Sequence, residues 1–147
     1  MKLHKQAFTL IELLLVIVIL AILAGIVIVA INPARQVAQA NNSQRESDVR
    51  ALLDAVQEYA VDQRGVFPAE ITSTATVVGS GTGQVDICTY LVPDYLTAMP
   101  VDPTDADAAY TDCTSYDTEY TIAIDADNRV TVAAPGAELS ETIAITR

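Results

Sequence analysis

The sequence predicts an α+β chain: a long N-terminal helix, membrane-spanning in its first half and amphipathic in its second, packed on a small C-terminal antiparallel sheet. Three patterns predict it. Apolar residues run from Phe8 to Ile31 with Glu12 as their one charge, apolar positions recur at three- and four-residue steps between Val37 and Ala60, and alternation by two marks the last thirty residues.

The first element is a short basic stretch, Met1 to Ala7, carrying Lys2 and Lys5 and no acid. It leads into Phe8-Thr9-Leu10-Ile11-Glu12-Leu13 and onward to Ile31. At about 1.5 Å per residue, helix from Phe8 to Ile31 spans about 36 Å, enough for a hydrocarbon layer of about 30 Å. Ala21-Ile22-Leu23-Ala24-Gly25 imitates a signal-peptidase site, but the apolar run continues past it, so a spanning helix fits better than a removed signal. The two lysines leave the N-terminus in the cytoplasm and export the remainder. A carboxylate within such a segment is costly, about 2.5–3.5 kcal/mol at a helix centre, which makes Glu12 a functional candidate. Its bland alternative is an incidental acid in a single-pass anchor.

Asn32-Pro33 then interrupts the helix. Proline at 33 cannot donate to the carbonyl of Val29, which predicts a kink or an unwound stretch between Gly25 and Pro33. Beyond it Val37, Val49, Leu52, Leu53, Val56, Tyr59 and Ala60 form an apolar stripe. Arg45, Glu46, Asp48, Arg50, Asp54, Glu58 and Asp62 are expected mostly on other faces. This amphipathic helix covers 34–64, with Gly65 suited to its cap and Pro68 preventing continuation.

Residues 65–118 read as a turn-rich loop region. Thr72 to Gly83, small and polar, reads as exposed loop, whereas Tyr90, Leu91, Tyr95, Leu96 and Met99 are expected to hold the following segment down as core. The sheet is expected over 119–147 as a three-stranded meander. Tyr120, Ile122 and Ile124 share one face, Val130 and Val132 follow a turn at Asp125-Ala126-Asp127-Asn128, and Ile143 and Ile145 lie near the end. The helix is the natural cover for its apolar face.

Charge is unevenly distributed. The net charge of −11 comes from the exported part, where residues 65–147 hold acids against Arg129 and Arg147 alone. Such a surface repels phosphate, so direct nucleic-acid binding is not expected. Cys88 and Cys113 both lie in the exported region, where an oxidising compartment favours one disulfide over two free thiols. An enzyme finds little support: the sole histidine, His4, precedes the apolar segment, and no phosphate loop, zinc spacing or nucleophile elbow is present.

Lys2, Lys5, the small Ala7, and Phe8-Thr9-Leu10-Ile11-Glu12-Leu13-Leu14 before a long apolar helix resemble the N-terminus of type IV pilins and of the pseudopilins of type II secretion. The resemblance implies three parts: a leader, 1–7, a membrane and filament-core helix, 8–31, and a head, 32–147. A membrane prepilin peptidase and N-methyltransferase would cut between Ala7 and Phe8 and methylate Phe8. The family usually has Gly where this chain has Ala7. Cleavage would expose an amine on Phe8 four residues from Glu12, and Glu12 of an incoming subunit would meet the Phe8 amine of a neighbour.

The same resemblance implies a structural subunit of a type IV pilus-like surface filament. Its alternatives are a pseudopilin of a type II secretion system and a minor pilin of a DNA-uptake pilus. Copies of itself, an inner-membrane assembly platform and the membrane before assembly are the implied partners, and the product would be an extracellular pilus or a periplasmic pseudopilus. Some pseudopilins also bind calcium in a loop corresponding to Asp102, Asp105, Asp107 and Asp112. Carboxylates suit calcium, but this spacing matches no EF-hand, leaving a calcium site and a solvated acidic loop both open.

Overall fold

The computed structural model describes residues 8–147 and divides into two compact units, one ending at Val37 and one spanning Ala38–Arg147. In the first unit, helix α1 runs from Leu10 to Ile31. Its stretch Leu10–Ile28 has a mean hydropathy of 3.2 and is long and apolar enough to cross a membrane. Apolar side chains on all its faces are exposed, as expected of a helix made for lipid or for other helices rather than for its own head.

Asn32 separates α1 from α2, Pro33–Asp62. It adopts the left-handed conformation at φ 46°, and its backbone and side-chain oxygens accept from Arg35 N at 3.1 and 3.3 Å. Pro33 therefore stands in the first turn of a new helix, where its missing N–H is no loss. The interruption expected between Gly25 and Pro33 is confined to Asn32, with Gly25 inside α1.

In the second unit, α2 packs on an antiparallel sheet, giving the α+β head the sequence predicts. The central strand is β3, Ser115–Ile124; it pairs along one side with β1, Thr76–Gly79, and along the other with β2, Ala109–Asp112, and then β4, Val130–Ala134. The final strand β5, Ile143–Thr146, pairs with β4. Tyr116, Thr118, Tyr120 and Ile122 alternate inward along β3 and meet Val49, Leu52, Leu53 and Val56 of α2 in one core.

Two expectations need correction. The meander of 119–147 is part of a larger sheet, because β1 and β2 fall within the 65–118 region read as loop, and β1 lies inside the polar stretch Thr72 to Gly83. These strands are four residues each, too short for alternation to stand out, and they are recruited by the long edge that β3 offers. On α2, Val37 is exposed while Arg45 is fully buried and Asp48 is buried, the reverse of what hydrophobicity alone assigns.

The short helix α3, Cys88–Leu91, begins at the Cys88–Cys113 disulfide, whose Cα atoms are 5.2 Å apart. Tyr116 secures the same place: its hydroxyl donates to Asp86 Oδ1 at 2.8 Å and accepts from the N–H groups of Ile87 and Cys88. The bridge closes a loop with a sequence separation of 25. Such closure is worth about 3 kcal/mol by the chain-entropy argument. Serine at either cysteine is expected to lower the melting temperature of the detergent-solubilised chain by about 10 °C. An unchanged melting curve would show the bridge to be dispensable.

Tyr59 stacks edge-on against Tyr90 and Tyr95, with ring centroids 5.4 and 6.1 Å away. The two outer hydroxyls donate to Glu70 and Asp62. These half-buried rings hold α3 and the segment after it against the end of α2, as expected for Tyr90 and Tyr95.

Candidate functional site

The sequence directs attention first to the start of α1. Thr9 is its N-cap, with φ −79° and ψ 151°, and Glu12 occupies the third helical position. The pair forms a reciprocal capping box: Glu12 N donates to Thr9 Oγ1 at 3.3 Å, while Thr9 N and Thr9 Oγ1 both donate to Glu12 Oε2 at 2.8 Å. The carboxylate also faces the positive end of the helix dipole. Two local effects thus make an acid tolerable in an otherwise apolar segment.

Phe8 precedes the cap and is not one helical turn below Glu12, as the four-residue spacing alone suggests. Both charge-assisted bonds fall on Oε2, so Oε1 keeps its acceptor capacity among the described residues. Phe8, Glu12, Leu13 and Val16 line one apolar groove. Ala7, the expected cleavage position, lies outside the described residues.

The second constellation is one that hydrophobic periodicity conceals. Arg45 has all five N–H donors engaged: Nε and Nη2 fork onto Asp102 at 2.7 and 3.0 Å, Nη1 reaches Asn42 Oδ1 and Glu138 Oε2, and Nη2 reaches Thr104 Oγ1. Asp102 in turn accepts from the N–H groups of Thr104 and Asp105. One buried cation of α2 thereby fastens the loop before β2 and the loop between β4 and β5. Continuing the apolar stripe backwards from Val49 in steps of three and four lands on Arg45, Asn42 and Ala38, all buried. That spacing is the signal in the sequence that could have found them.

Burial pushes the Asp102 carboxyl up, but the Arg45 fork and the Thr104 bonds outweigh it and hold the group at about 2. The Asp102 bond likewise raises Arg45. Asp48 moves the other way: burial raises it, opposed by bonds from Tyr120 Oη at 2.9 Å and Gln44 Nε2 at 2.8 Å. Asp102, lowered on folding from 3.8, contributes stability that is present above about 3.8 and lost as pH falls toward 2. Asp48, raised on folding, adds stability as protons bind it. Denaturant titrations across acid pH should therefore show a loss of stability below about 3.8, and Asp102→Asn should flatten that limb.

Gly136 passes close above this ion pair: a Cβ there would lie 2.8 Å from Asp102 Oδ2. Because the carboxylate is locked by Arg45, Gly136→Ala is expected to cost about 1–3 kcal/mol in thermal unfolding.

The four aspartates considered for calcium are not brought together. Asp102 is committed to Arg45, Asp105 accepts from Asp107 N, and Asp112 accepts from Thr114 and Ser115 in the β2–β3 turn. Among the described residues, no three His, Cys, Asp or Glu side chains are grouped to hold a metal ion.

An apolar span capped by an acid in its first turn, continuing into a helix on a small disulfide-closed sheet, defines a prepilin-type chain. The family model for the prokaryotic N-terminal methylation motif matches residues 2–28. The chain is 30% identical over 100 residues to the type II secretion system core protein G of Pseudomonas aeruginosa, an alignment covering 68% of this chain and 68% of that protein. No solved structure matches it. The chain belongs to the type IV pilin and pseudopilin family, whose members are structural proteins.

Proposed function

We propose that this chain is the repeating subunit of a helical filament, built from the membrane after cleavage between Ala7 and Phe8 and N-methylation of Phe8. The observation that carries the reading is the exposed apolar surface of α1. Eighteen large apolar side chains between Phe8 and Ile31 would cost roughly 25–50 kcal/mol in water. Extraction from a bilayer therefore requires other helices to replace the lipid, and identical helices with small residues such as Ala21, Ala24 and Gly25 supply close cover. Oε1 of Glu12 offers an acceptor for the new Phe8 ammonium of a neighbouring subunit, which would fix the axial register.

Between a surface pilus and a secretion pseudopilus, the likeness to type II secretion core protein G favours the pseudopilus. The inner-membrane platform and the prepilin peptidase are its expected partners. The test is to delete the gene and follow protein export alongside electron microscopy of sheared surface material. Loss of export without loss of fibres supports the pseudopilus; loss of long fibres with normal export supports the surface pilus. Mass analysis of the mature N-terminus should return methylated Phe8, and a retained Met1 would overturn the processing step.

A further inference from the structure

Four of the five arginines in Ala38–Arg147 are neutralised within the unit. Arg45 pairs with Asp102 and Glu138, Arg50 with Glu46, Arg129 with Asp125 and Asp127, and Arg147 with Asp54. Arg64 forms no ion pair among the described residues, although the unit holds all but one of the chain's 19 acids. An unpaired cation on so acidic a surface has abundant intramolecular alternatives and uses none.

Its position is equally specific. The end of α2 is closed by Gly65 N donating to Ala60 O at 2.7 Å and Arg64 N donating to Val61 O. This pattern puts Arg64 in the left-handed slot, φ 58°, where glycine or asparagine ordinarily sits. Val61 and Val66 flank it, 76% and 63% exposed.

At the other end of the packed part of α2, the loop between β4 and β5 presents Leu139, 43% exposed. Leu139 and Ser140 are both left-handed, each at φ 58°, a conformation that L-residues adopt at a cost. The loop is fixed there by Asn42, which accepts from Glu138 N and donates to Glu138 O and Glu141 Oε2. Glu141 is exposed and has no cation partner among the described residues. Val61, Val66 and Leu139 are the large aliphatic side chains exposed in this unit.

The two patches complement one another: two valines around a cation with no acid partner, and a leucine near an acid with no cation partner among the described residues. They stand apart by about the length of α2 from Asn42 to Asp62, about 30 Å at about 1.5 Å per residue. A contact between unlike patches is heterologous, so each copy can use both at once and the contact can pass from copy to copy.

We propose that Val61, Arg64 and Val66 of one copy seat Leu139 and Glu141 of a second copy, a head-to-head-neighbour contact that adds to helix packing in the assembly. This rests on the filament reading above. The test is a charge-reversal cycle in the full-length chain expressed in its own membrane, with multimers trapped by chemical cross-linking: Arg64→Glu, Glu141→Arg and the double variant. Each single reversal should lower multimer yield about tenfold, and the double should recover most of it. Leu139→Gly supplies a second readout, a higher melting temperature, since glycine relieves the left-handed strain, together with a lower multimer yield. Single reversals that assemble normally, or a double variant no better than the singles, overturn the contact alone. Absence of multimers from the unsubstituted chain overturns the filament reading and this contact with it.

Discussion

Glu12→Ala is expected to leave the chain in the membrane fraction and to reduce its recovery in filaments or cross-linked multimers by more than tenfold. Insertion depends on the apolar length of α1, to which alanine is no obstacle. On the proposed filament reading, assembly depends on a charge that alanine lacks. Losing one member of a desolvated charge pair costs about 2–5 kcal/mol, and each 1.4 kcal/mol is a factor of ten. The capping role is separable, since losing a cap costs about 1 kcal/mol. Glu12→Gln keeps an oxygen for Thr9 and removes the charge, so it separates the two effects: it should restore the helix start and still fail to assemble. Normal multimer yield from Glu12→Gln, measured against the wild-type chain in the same membranes, would reduce Glu12 to a helix cap.

Arg45→Ala is expected to be the most damaging substitution in the head. It leaves Asp102 buried without its cation and removes partners from Asn42, Thr104 and Glu138 at once. Breaking a buried pair from one side costs about 3–5 kcal/mol, which for a unit of this size corresponds to a fall of about 10–25 °C in melting temperature. Arg45→Lys should recover part of the loss, because an ammonium keeps the charge but cannot fork across a carboxylate. A melting temperature within a few degrees of wild type for Arg45→Ala would mean that water or rearranged loops satisfy Asp102. Among the described residues no buried side-chain polar atom lacks a partner, which leaves little spare bonding capacity for such repair.

Elements built on strong local periodicity were legible in advance. The apolar run of α1, the stripe from Val49 to Ala60, and the inward alternation of Tyr120, Ile122, Val130 and Val132 all lie where their patterns put them. So does the Cys88–Cys113 bridge, inferred from two cysteines in an exported region. Strands β1 and β2 were not legible, because four residues of mixed polarity carry no periodic signal and their pairing depends on a distant partner, β3. Arg45 and Asp48 escape the hydrophobic pattern for a different reason. Charge alone suggests exposure, whereas a charged residue with a full set of partners belongs to the core as well as leucine does. At the start of α1 the residues were identifiable but their geometry was not: the spacing of Phe8 and Glu12 gives no hint that Thr9 ends the helix between them.

Asn32 has a mechanical consequence. It terminates α1 with its left-handed backbone and supplies the oxygens that receive the first amides of α2, so the opening turn of α2 draws on none of α1's carbonyls through Arg35 and Gln36. Helix melting ordinarily spreads because each turn leans on the one before it. Here that dependence is interrupted at one residue, and Asn32 acts as a firebreak: pulling that unravels the apolar segment should stop there, leaving the head's own helix wound.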